Sequence, residues 1–200
     1  MADFYGDNLF ILQSALNEML AKIDLIRNYQ KMKGFRDPIE HCKGRIKSED
    51  SMLEKLQRRG LEKTIENAFT IIHDAIGIRI VCSFVDDVYV LAKLIREMPD
   101  WEILEEKDYI ASPKHSGYRS YHIILCLKIN MPGESRILHA EIQIRTIAQD
   151  SWAALEHELH YKHNIDHVEL IQNELRRCAD EMASTDLTLQ TVRQMINGEI

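Results

Sequence analysis

The chain has 200 residues, of which 45% are hydrophobic and 28% charged, a length and mix that suit one globular domain with a buried core. Its formal net charge of −7 at pH 7 argues against binding of a long nucleic acid over the whole surface. No run of about twenty apolar residues offers a membrane span, and the first residues lack the basic and apolar segments of a secretion signal, so we expect a cytoplasmic protein with no membrane partner.

The opening segment predicts a long helix. Apolar residues recur at spacings of three and four from Leu9 to Ile26, which is typical of an amphipathic helix, and Gly34 marks its expected end. A short irregular stretch through Asp37 and Pro38 is expected to follow.

A second helix, of about three turns, is predicted between Ser48 and Gly60. Serine is a favoured N-cap, and glycine often stands where a helix stops. Ser51, Lys55 and Arg59 fall at i, i+4 and i+8, so they share one face of this helix. Basic residues outnumber acids around the helix although the whole protein is acidic, and such a basic strip suits a small polyanion.

Four strands are predicted after this helix. The run from Ile76 to Phe84 is short, apolar and rich in β-branched residues, so it predicts a buried strand, and residues 86–98 predict a helix. The other three strands, of which the last two are joined by a turn containing NMPGES, are WEILEEK, YRSYHIILCLKI and RILHAEIQIRT.

Two more helices complete the predicted order of elements. Thr146 and Gln149 have the capping-box spacing and open a helix through WAALEHELHYK, and a last helix runs from about His167. The order α-α-β-α-β-β-β-α-α predicts an α+β fold class, with a mixed β-sheet of about four to five strands flanked by helices in one domain over residues 1–200. Apolar stripes on the terminal helices fit either oligomer contacts or packing on their own domain.

Polar residues share one face of the predicted strand LHAEIQIRT. Side chains alternate along a strand, so Glu141, Gln143 and Arg145 project together, with His139 on the same side. A solvent-facing antiparallel strand would have the same pattern. The motifs elsewhere in the chain favour a binding site instead.

The segment SPKHSGYRSYH predicts a loop that runs into a strand and that suits a nucleotide. Gly117 lets the backbone approach a ligand closely, and Tyr118 can stack on a planar base. Lys114 and Arg119 can pair with the negative charge of phosphate groups. An ordinary loop that happens to contain these residue types is the alternative.

Asp74 stands just before the buried strand and is a candidate magnesium ligand. Magnesium bound together with phosphates usually takes only one or two carboxylates from the protein. A water-exposed loop acid is the alternative. Strict alternation places Arg79 on the face opposite Asp74 unless Gly77 marks a bulge, so we assign Arg79 no role.

Several common motifs are incomplete in this sequence. HELHY, from His157 to Tyr161, has its second histidine at i+3 instead of the i+4 of a zinc protease. The dipeptide His73-Asp74 lacks the partner residues of a metal phosphohydrolase, and the four cysteines have no paired spacing. Neither a phosphate-binding P-loop nor the glycine fingerprint of dinucleotide-binding folds is present.

Four segments, in order, carry a family resemblance: GRIKSEDSMLEKLQRRG, HDAIGIRIVCSFVDDVY, SPKHSGYRSYHIIL and AEIQIRTIAQDSWAALEHELHYK. The chain resembles the synthetase domain of the RelA/SpoT family, specifically its small single-domain alarmone synthetases. The resemblance implies a nucleotidyltransferase-like synthetase domain with an N-terminal helix over residues 1–34 and a catalytic core over residues 44–162. A C-terminal helix over residues 167–200 is the candidate for oligomerisation.

The resemblance also implies roles for individual residues. Asp74 and Glu141 match the family's two acids, the first as a magnesium ligand and the second as the group that positions or deprotonates the attacking hydroxyl and also contacts magnesium. Tyr118 matches the aromatic residue that stacks on guanine. The matching ATP contacts are Arg45, Lys47, Ser51, Lys55 and Arg59. The other matching GDP or GTP contacts are Lys107, Lys114, Ser116, His122, Gln143, Arg145, Ala154 and His157.

The implied activity is transfer of pyrophosphate from ATP to the 3′-hydroxyl of GDP or GTP, which makes (p)ppGpp and AMP in the stringent response. Mg²⁺ is the implied cofactor and a homotetramer the implied assembly. One alternative is a non-catalytic module that binds an alarmone or single-stranded RNA on the same fold, and both ligands are also candidate regulators of the enzyme. A second alternative is a different nucleotidyl transfer, which would release pyrophosphate instead of AMP.

Overall fold

The computed structural model describes residues 4–160 and 168–200, which form a five-stranded sheet and six helices. In chain order the elements are α1 (Asn8–Met32), β1 (Ile39–Ile46), α2 (Glu49–Arg58), α3 (Ile65–Thr70), β2 (Ile76–Cys82), α4 (Val85–Arg96), β3 (Glu102–Asp108), β4 (Tyr121–Met131), β5 (Glu134–Thr146), α5 (Ile147–His160) and α6 (Val168–Asn197).

The sheet is mixed, with the strand order β1-β2-β5-β4-β3. β2 and β5 pair in parallel, and every other pair is antiparallel. Ile76, Ile78 and Ile80 alternate along β2 and are buried, whereas Gly77 and Arg79 between them face the other side. The predicted α+β class and mixed sheet are confirmed, and the two faces of the sheet have different chemistry.

β1 was not predicted, because residues 39–46 were expected to continue the irregular stretch. It is an edge strand with several charged side chains, so it lacks the apolar run that marked β2. Gly44 in its middle lies under α1, where an added Cβ would come within 2.5 Å of the Leu16 side chain. The glycine therefore lets α1 pack directly on the edge of the sheet.

The predicted second helix is confirmed as α2. Ser48 is its N-cap residue, although its hydroxyl donates to Ser51 Oγ at 2.9 Å instead of capping the backbone, and Gly60 follows the helix with a φ of 67°. Met52 and Leu56 are buried on the face opposite the basic one. The short helix α3, capped by Thr64, was not predicted because it has only six residues.

The capping box at the start of α5 is confirmed. The amide of Gln149 donates to Thr146 Oγ1, and the amide of Thr146 donates to Gln149 Oε1, each at 3.1 Å. The predicted boundaries at Lys162 and His167 lie outside the described residues. Within residues 4–160 and 168–200, no helix combines the length and the apolar character needed to cross a bilayer.

Candidate active site

A row of polar side chains crosses all five strands on the face of the sheet to which Gly77 and Arg79 belong. In-register residues of neighbouring strands project to the same side of a sheet, so these side chains form one continuous surface. From β1 to β3 the row consists of Lys43, Arg79, Gln143, His122 and Lys107.

A cavity of about 360 Å³ opens on this face. Gly77 lies in register between Arg45 and Glu141, and a Cβ built on it would lie 3.9 Å from Arg45 Cγ. Because glycine has no side chain, space remains between the Arg45 and Glu141 side chains. The cavity is lined by Lys43, Gly44, Arg45, Asp74, Gly77, Ile78, Arg79, Glu141 and Gln143.

Asp74 lies in the turn before β2 and is held by two ammonium groups. Lys47 Nζ donates to Oδ2 at 2.9 Å, and Lys55 Nζ lies 2.8 Å from Oδ1. Oδ1 is buried and has no partner in hydrogen-bond geometry among the described residues. Burial alone would raise the pKa of Asp74, but the two lysines outweigh burial and lower it. The carboxylate is therefore ionised at neutral pH.

Glu141 is the second acid in the cavity and accepts two hydrogen bonds. His122 Nδ1 lies 2.9 Å from Oε1, and Gln143 Nε2 donates to Oε2 at 2.7 Å. Burial and the nearby charge of Asp74 raise the pKa of Glu141, whereas the contacts with His122 and Gln143 lower it, and the net shift is downward. Glu141 is thus also a carboxylate at neutral pH.

Two chains of hydrogen bonds run from Arg145 to Glu141. In one, Arg145 Nη2 donates to Gln143 Oε1 at 2.8 Å, and Gln143 donates onward to Glu141. In the other, Arg145 Nη2 donates to the Tyr118 hydroxyl at 2.7 Å, which lies 2.8 Å from His122 Nε2. Because Arg145 only donates and Glu141 only accepts, both chains are satisfied when His122 is neutral and carries its proton on Nδ1.

The ring of Tyr118 is surrounded by cations. Lys114 Nζ lies 4.8 Å and Arg145 Cζ lies 5.1 Å from its centroid, and Tyr109 contacts it edge-on at 6.1 Å. The ring is half-buried. A purine that stacks on this tyrosine would meet both an aromatic face and the charges that neutralise its phosphates.

The five predicted ATP contacts fall into two groups by their position. Arg45 lines the cavity, and Lys47 and Lys55 contact Asp74 inside it. Ser51 and Arg59 lie on the basic face of α2, where Arg59 Nη1 donates to the carbonyl of Ile71 at 3.3 Å. The helix therefore carries a basic strip from Asp74 outward.

The remaining predicted acceptor contacts lie at the rim of the site. Lys107 pairs with Glu105 at 2.9 Å, and Ser116 Oγ accepts from the amide of Tyr118 at 3.4 Å. Ala154 and His157 occupy exposed positions on α5.

Strict strand alternation placed Arg79 on the face opposite Asp74, and this placement was wrong. Arg79 lines the same cavity as Asp74 because Asp74 lies in a turn, where strand alternation does not apply. Arg79 and Arg145 both pair with Asp150, at 3.4 and 3.2 Å, so this α5 acid joins the two arginines. Neither Lys43 nor Asp150 was predicted as a site residue, since β1 was missed and Asp150 belongs to no polar-faced strand.

Two histidines lie together next to the site. His73 Nδ1 and His139 Nδ1 are 2.9 Å apart, and burial lowers the pKa of each ring. In the part of the chain that the structure describes, no group of three or more His, Cys, Asp or Glu side chains is arranged to hold a metal ion. Tyr161 of the HELHY segment lies outside the described residues.

The sequence over residues 44–166 matches a family model described as a region found in RelA / SpoT proteins. This chain belongs to the RelA/SpoT family. It is 39% identical to the GTP pyrophosphokinase YwaC of Bacillus subtilis over 176 residues, which cover 88% of this chain and 84% of that relative.

Solved structures of the family have the same fold. The small alarmone synthetase 1 of Bacillus subtilis bound to its product pppGpp superposes with a TM-score of 0.86 at 30% identity, over 98% of this chain and all of that one. The same synthetase bound to AMPCPP superposes with a TM-score of 0.79 at 26% identity, over 97% and 98% of the two chains. This RelA/SpoT family member therefore has the synthetase architecture along almost its whole length.

Proposed function

We propose that this protein is a GTP/GDP diphosphokinase, a transferase that moves pyrophosphate from ATP to the 3′-hydroxyl of GDP or GTP and so makes (p)ppGpp and AMP. One observation carries the proposal: Asp74 and Glu141, 67 positions apart in the sequence, line one cavity together with Arg45 and Arg79. The relative named a GTP pyrophosphokinase and the structure bound to pppGpp support the same reaction.

The ATP half of the site is the basic surface formed by β1, α2 and the turn of Asp74. Its predicted contacts would bind the triphosphate, because several ammonium and guanidinium groups converge where three phosphates need neutralising. Arg45 stands at the cavity wall, and Lys47 and Lys55 reach Asp74 from two elements. The neighbour bound to AMPCPP supports an adenine nucleotide here.

The donor set of the cavity fits magnesium. Both acids are ionised, and Asp74 Oδ1 is a buried carboxylate oxygen that has the Lys55 ammonium 2.8 Å away but accepts no hydrogen bond of good geometry from the described residues. Two protein carboxylates with phosphate oxygens and water make up an ordinary Mg²⁺ ligand set. Asp74 and Glu141 would hold the ion. When bound, it would withdraw charge from the phosphates and so favour attack on phosphorus.

The acceptor half is the surface around Tyr118, His122 and Gln143. Tyr118 would stack on guanine, and Glu141 would accept a hydrogen bond from the 3′-hydroxyl and orient its oxygen toward ATP. The 3′-oxygen attacks the β-phosphorus as its proton passes to Glu141, the bond from that phosphorus to the oxygen bridging to the α-phosphate breaks, and AMP leaves. Alignment and charge neutralisation account for most of the catalysis, since this transfer asks little covalent chemistry of the protein.

The deciding experiment is a product analysis. Purified protein, Mg²⁺, labelled ATP and GDP or GTP are incubated, and the nucleotides are resolved. We expect AMP and (p)ppGpp in equal amounts. Release of pyrophosphate instead of AMP would identify the different nucleotidyl transfer, and tight nucleotide binding without turnover would identify a non-catalytic module that binds an alarmone or RNA.

Three further predictions belong to this proposal. We expect a homotetramer, a cytoplasmic location and regulation by an alarmone or single-stranded RNA. Exposed apolar residues on α1 and α6, such as Phe10, Met32, Leu187 and Ile196, are the ones that subunit contacts would cover. Light scattering of the purified protein measures the number of subunits, and titration with pppGpp or a short RNA measures regulation.

Tyr118→Ala should raise the KM for GDP or GTP by about ten- to a hundredfold, because a lost stacking interaction is worth roughly 1–3 kcal/mol. The KM for ATP should change much less, since the ATP half contains no contact to this ring. Tyr118→Phe is the matched control for stacking, because it keeps the aromatic face and should leave the acceptor KM near the wild-type value. Its lost hydroxyl breaks the link between Arg145 and His122 and should act on turnover instead. Equal increases in both KM values for the alanine variant would contradict stacking.

Gly77→Ala should separate stability from activity. Its Cβ would meet only Arg45 Cγ, at an ordinary contact distance of 3.9 Å, so the free energy of unfolding should stay equal or rise by up to about 1 kcal/mol. The methyl group would nevertheless enter the space between Arg45 and Glu141, and kcat/KM should fall by about tenfold or more. Thermal unfolding and initial rates measure the two effects. A variant with full activity would mean that substrates do not occupy this part of the cavity.

A further inference from the structure

The loop that carries Tyr118 rests directly on the C-terminal helix α6. Gly117 has a φ of 92°, and a Cβ added there would lie 2.7 Å from the Ala179 Cβ and 3.4 Å from the Cα of Arg176. The backbone of residues 114–119, here called the acceptor loop, thus contacts α6 without an intervening side chain at Gly117. The residual space between the loop, α5 and α6 is only about 10 Å³.

Arg119 ties the acceptor loop to α6 by two contacts and makes a third within the loop itself. Its Nη1 donates to the carbonyls of Gly117 at 3.1 Å and Ala179 at 3.3 Å, and its Nη2 pairs with Asp180 at 2.9 Å. The sequence analysis offered Arg119 as a phosphate contact, but the side chain is directed to the helix and is only 16% exposed. Its charge is therefore used within the protein.

α6 is anchored independently of this loop. Thr146 Oγ1 donates to Asp186 Oδ2 at 2.6 Å, and both side chains are buried. Trp152 Nε1 donates to the carbonyl of Leu175 at 2.8 Å, which joins α5 to α6. Thr146 directly follows Arg145 of the hydrogen-bond network. A fixed helix therefore supports both the acceptor loop and the end of β5.

We propose that Asp180 and Arg119 are positioning residues for the acceptor half of the site. Asp180 does not line the cavity; it acts through Arg119, which keeps the acceptor loop on α6 and Tyr118 beside His122. A loop that is already ordered has less conformational entropy to lose when the guanosine nucleotide stacks. This inference rests on the proposed function, and it concerns affinity for the acceptor, not for ATP.

The kinetic test uses Asp180→Ala. The acceptor KM should rise about three- to tenfold, as expected for one lost charge-assisted hydrogen bond, while the ATP KM stays within about twofold of wild type. Asp180→Glu, which keeps the charge, should restore most of the acceptor affinity. The matched control is Glu181→Ala, which removes the next acid on α6. Glu181 is 62% exposed against 61% for Asp180, and its partner is Arg177 and not the loop. Unchanged KM values in Asp180→Ala, or equal increases for both substrates, would overturn the proposal.

Hydrogen exchange gives a second readout that does not depend on turnover. The amides of Lys114 and Gly117 are bonded within the loop, to the carbonyls of Tyr118 and Lys114. In Asp180→Ala these amides should exchange several-fold faster than in wild type, and in Glu181→Ala at the wild-type rate. Unchanged exchange in Asp180→Ala would overturn the positioning role even if the kinetics changed. If wild-type protein made no (p)ppGpp, the proposed function would fail, and exchange would still decide whether Asp180 orders the loop.

Discussion

Glu141→Gln should fold normally, bind both nucleotides and lose turnover by about a hundred- to ten-thousandfold. The substitution removes the carboxylate that would orient the 3′-hydroxyl. It also breaks one of the two hydrogen-bond chains, because His122 and Gln143 bond to different carboxylate oxygens of Glu141, and glutamine has an NH2 donor in place of one of those oxygens. The rate of AMP release and equilibrium binding of each nucleotide check the two parts of this prediction.

The control for this variant is Glu134→Gln. Glu134 stands on the same strand, is exposed, and pairs only loosely with Arg136 at 3.4 Å, so the same change of charge occurs away from the cavity. Its turnover should match wild type. A Glu141→Gln variant with ordinary (p)ppGpp output would remove Glu141 from the mechanism, and the cavity would then lack a group to orient the acceptor.

The polar face of β5 could be predicted from the sequence, but the hydrogen-bond partners of its side chains depend on the fold. Alternation alone puts Glu141, Gln143 and Arg145 on one side. The other half of the network comes from Tyr118 and His122 on a different segment, and only the antiparallel pairing of β4 with β5 brings His122 opposite Gln143. No local pattern encodes which strands pair.

The cavity itself was less predictable than the acids that line it. Asp74 was identified as a candidate, but Arg79 was given no role. Alternation was counted from Asp74, which lies in the turn before β2, where side chains do not alternate as they do in a strand. β1 supplies Lys43 and Arg45 to the wall, yet an edge strand with alternating charges has no apolar run to reveal it. Arg119 was likewise misread, since its partner Asp180 lies 61 positions later in the chain.

Asp74→Asn should lower turnover by about a hundred- to a thousandfold, because removing one preorganised electrostatic group at a site of developing charge commonly costs that much. In the wild type the Asp74 carboxylate pairs with the ammonium groups of both Lys47 and Lys55. In the variant a neutral amide would stand between these two positive charges, which would repel each other. Magnesium dependence of ATP binding, measured by calorimetry with and without EDTA, should be strong in wild type and weak in the variant.

Asp50→Asn provides the matched control, since it makes the same charge change in the first turn of α2 at an exposed position that does not line the cavity. The contrast between the two variants separates a general loss of negative charge from loss of this carboxylate. If both retained synthesis, the two-acid site would be refuted. If Asp74→Asn alone failed while still binding ATP in a fully magnesium-dependent way, Asp74 would act on the lysines and not on the metal. Glu141 would then remain as the one acid among the described residues that line the cavity.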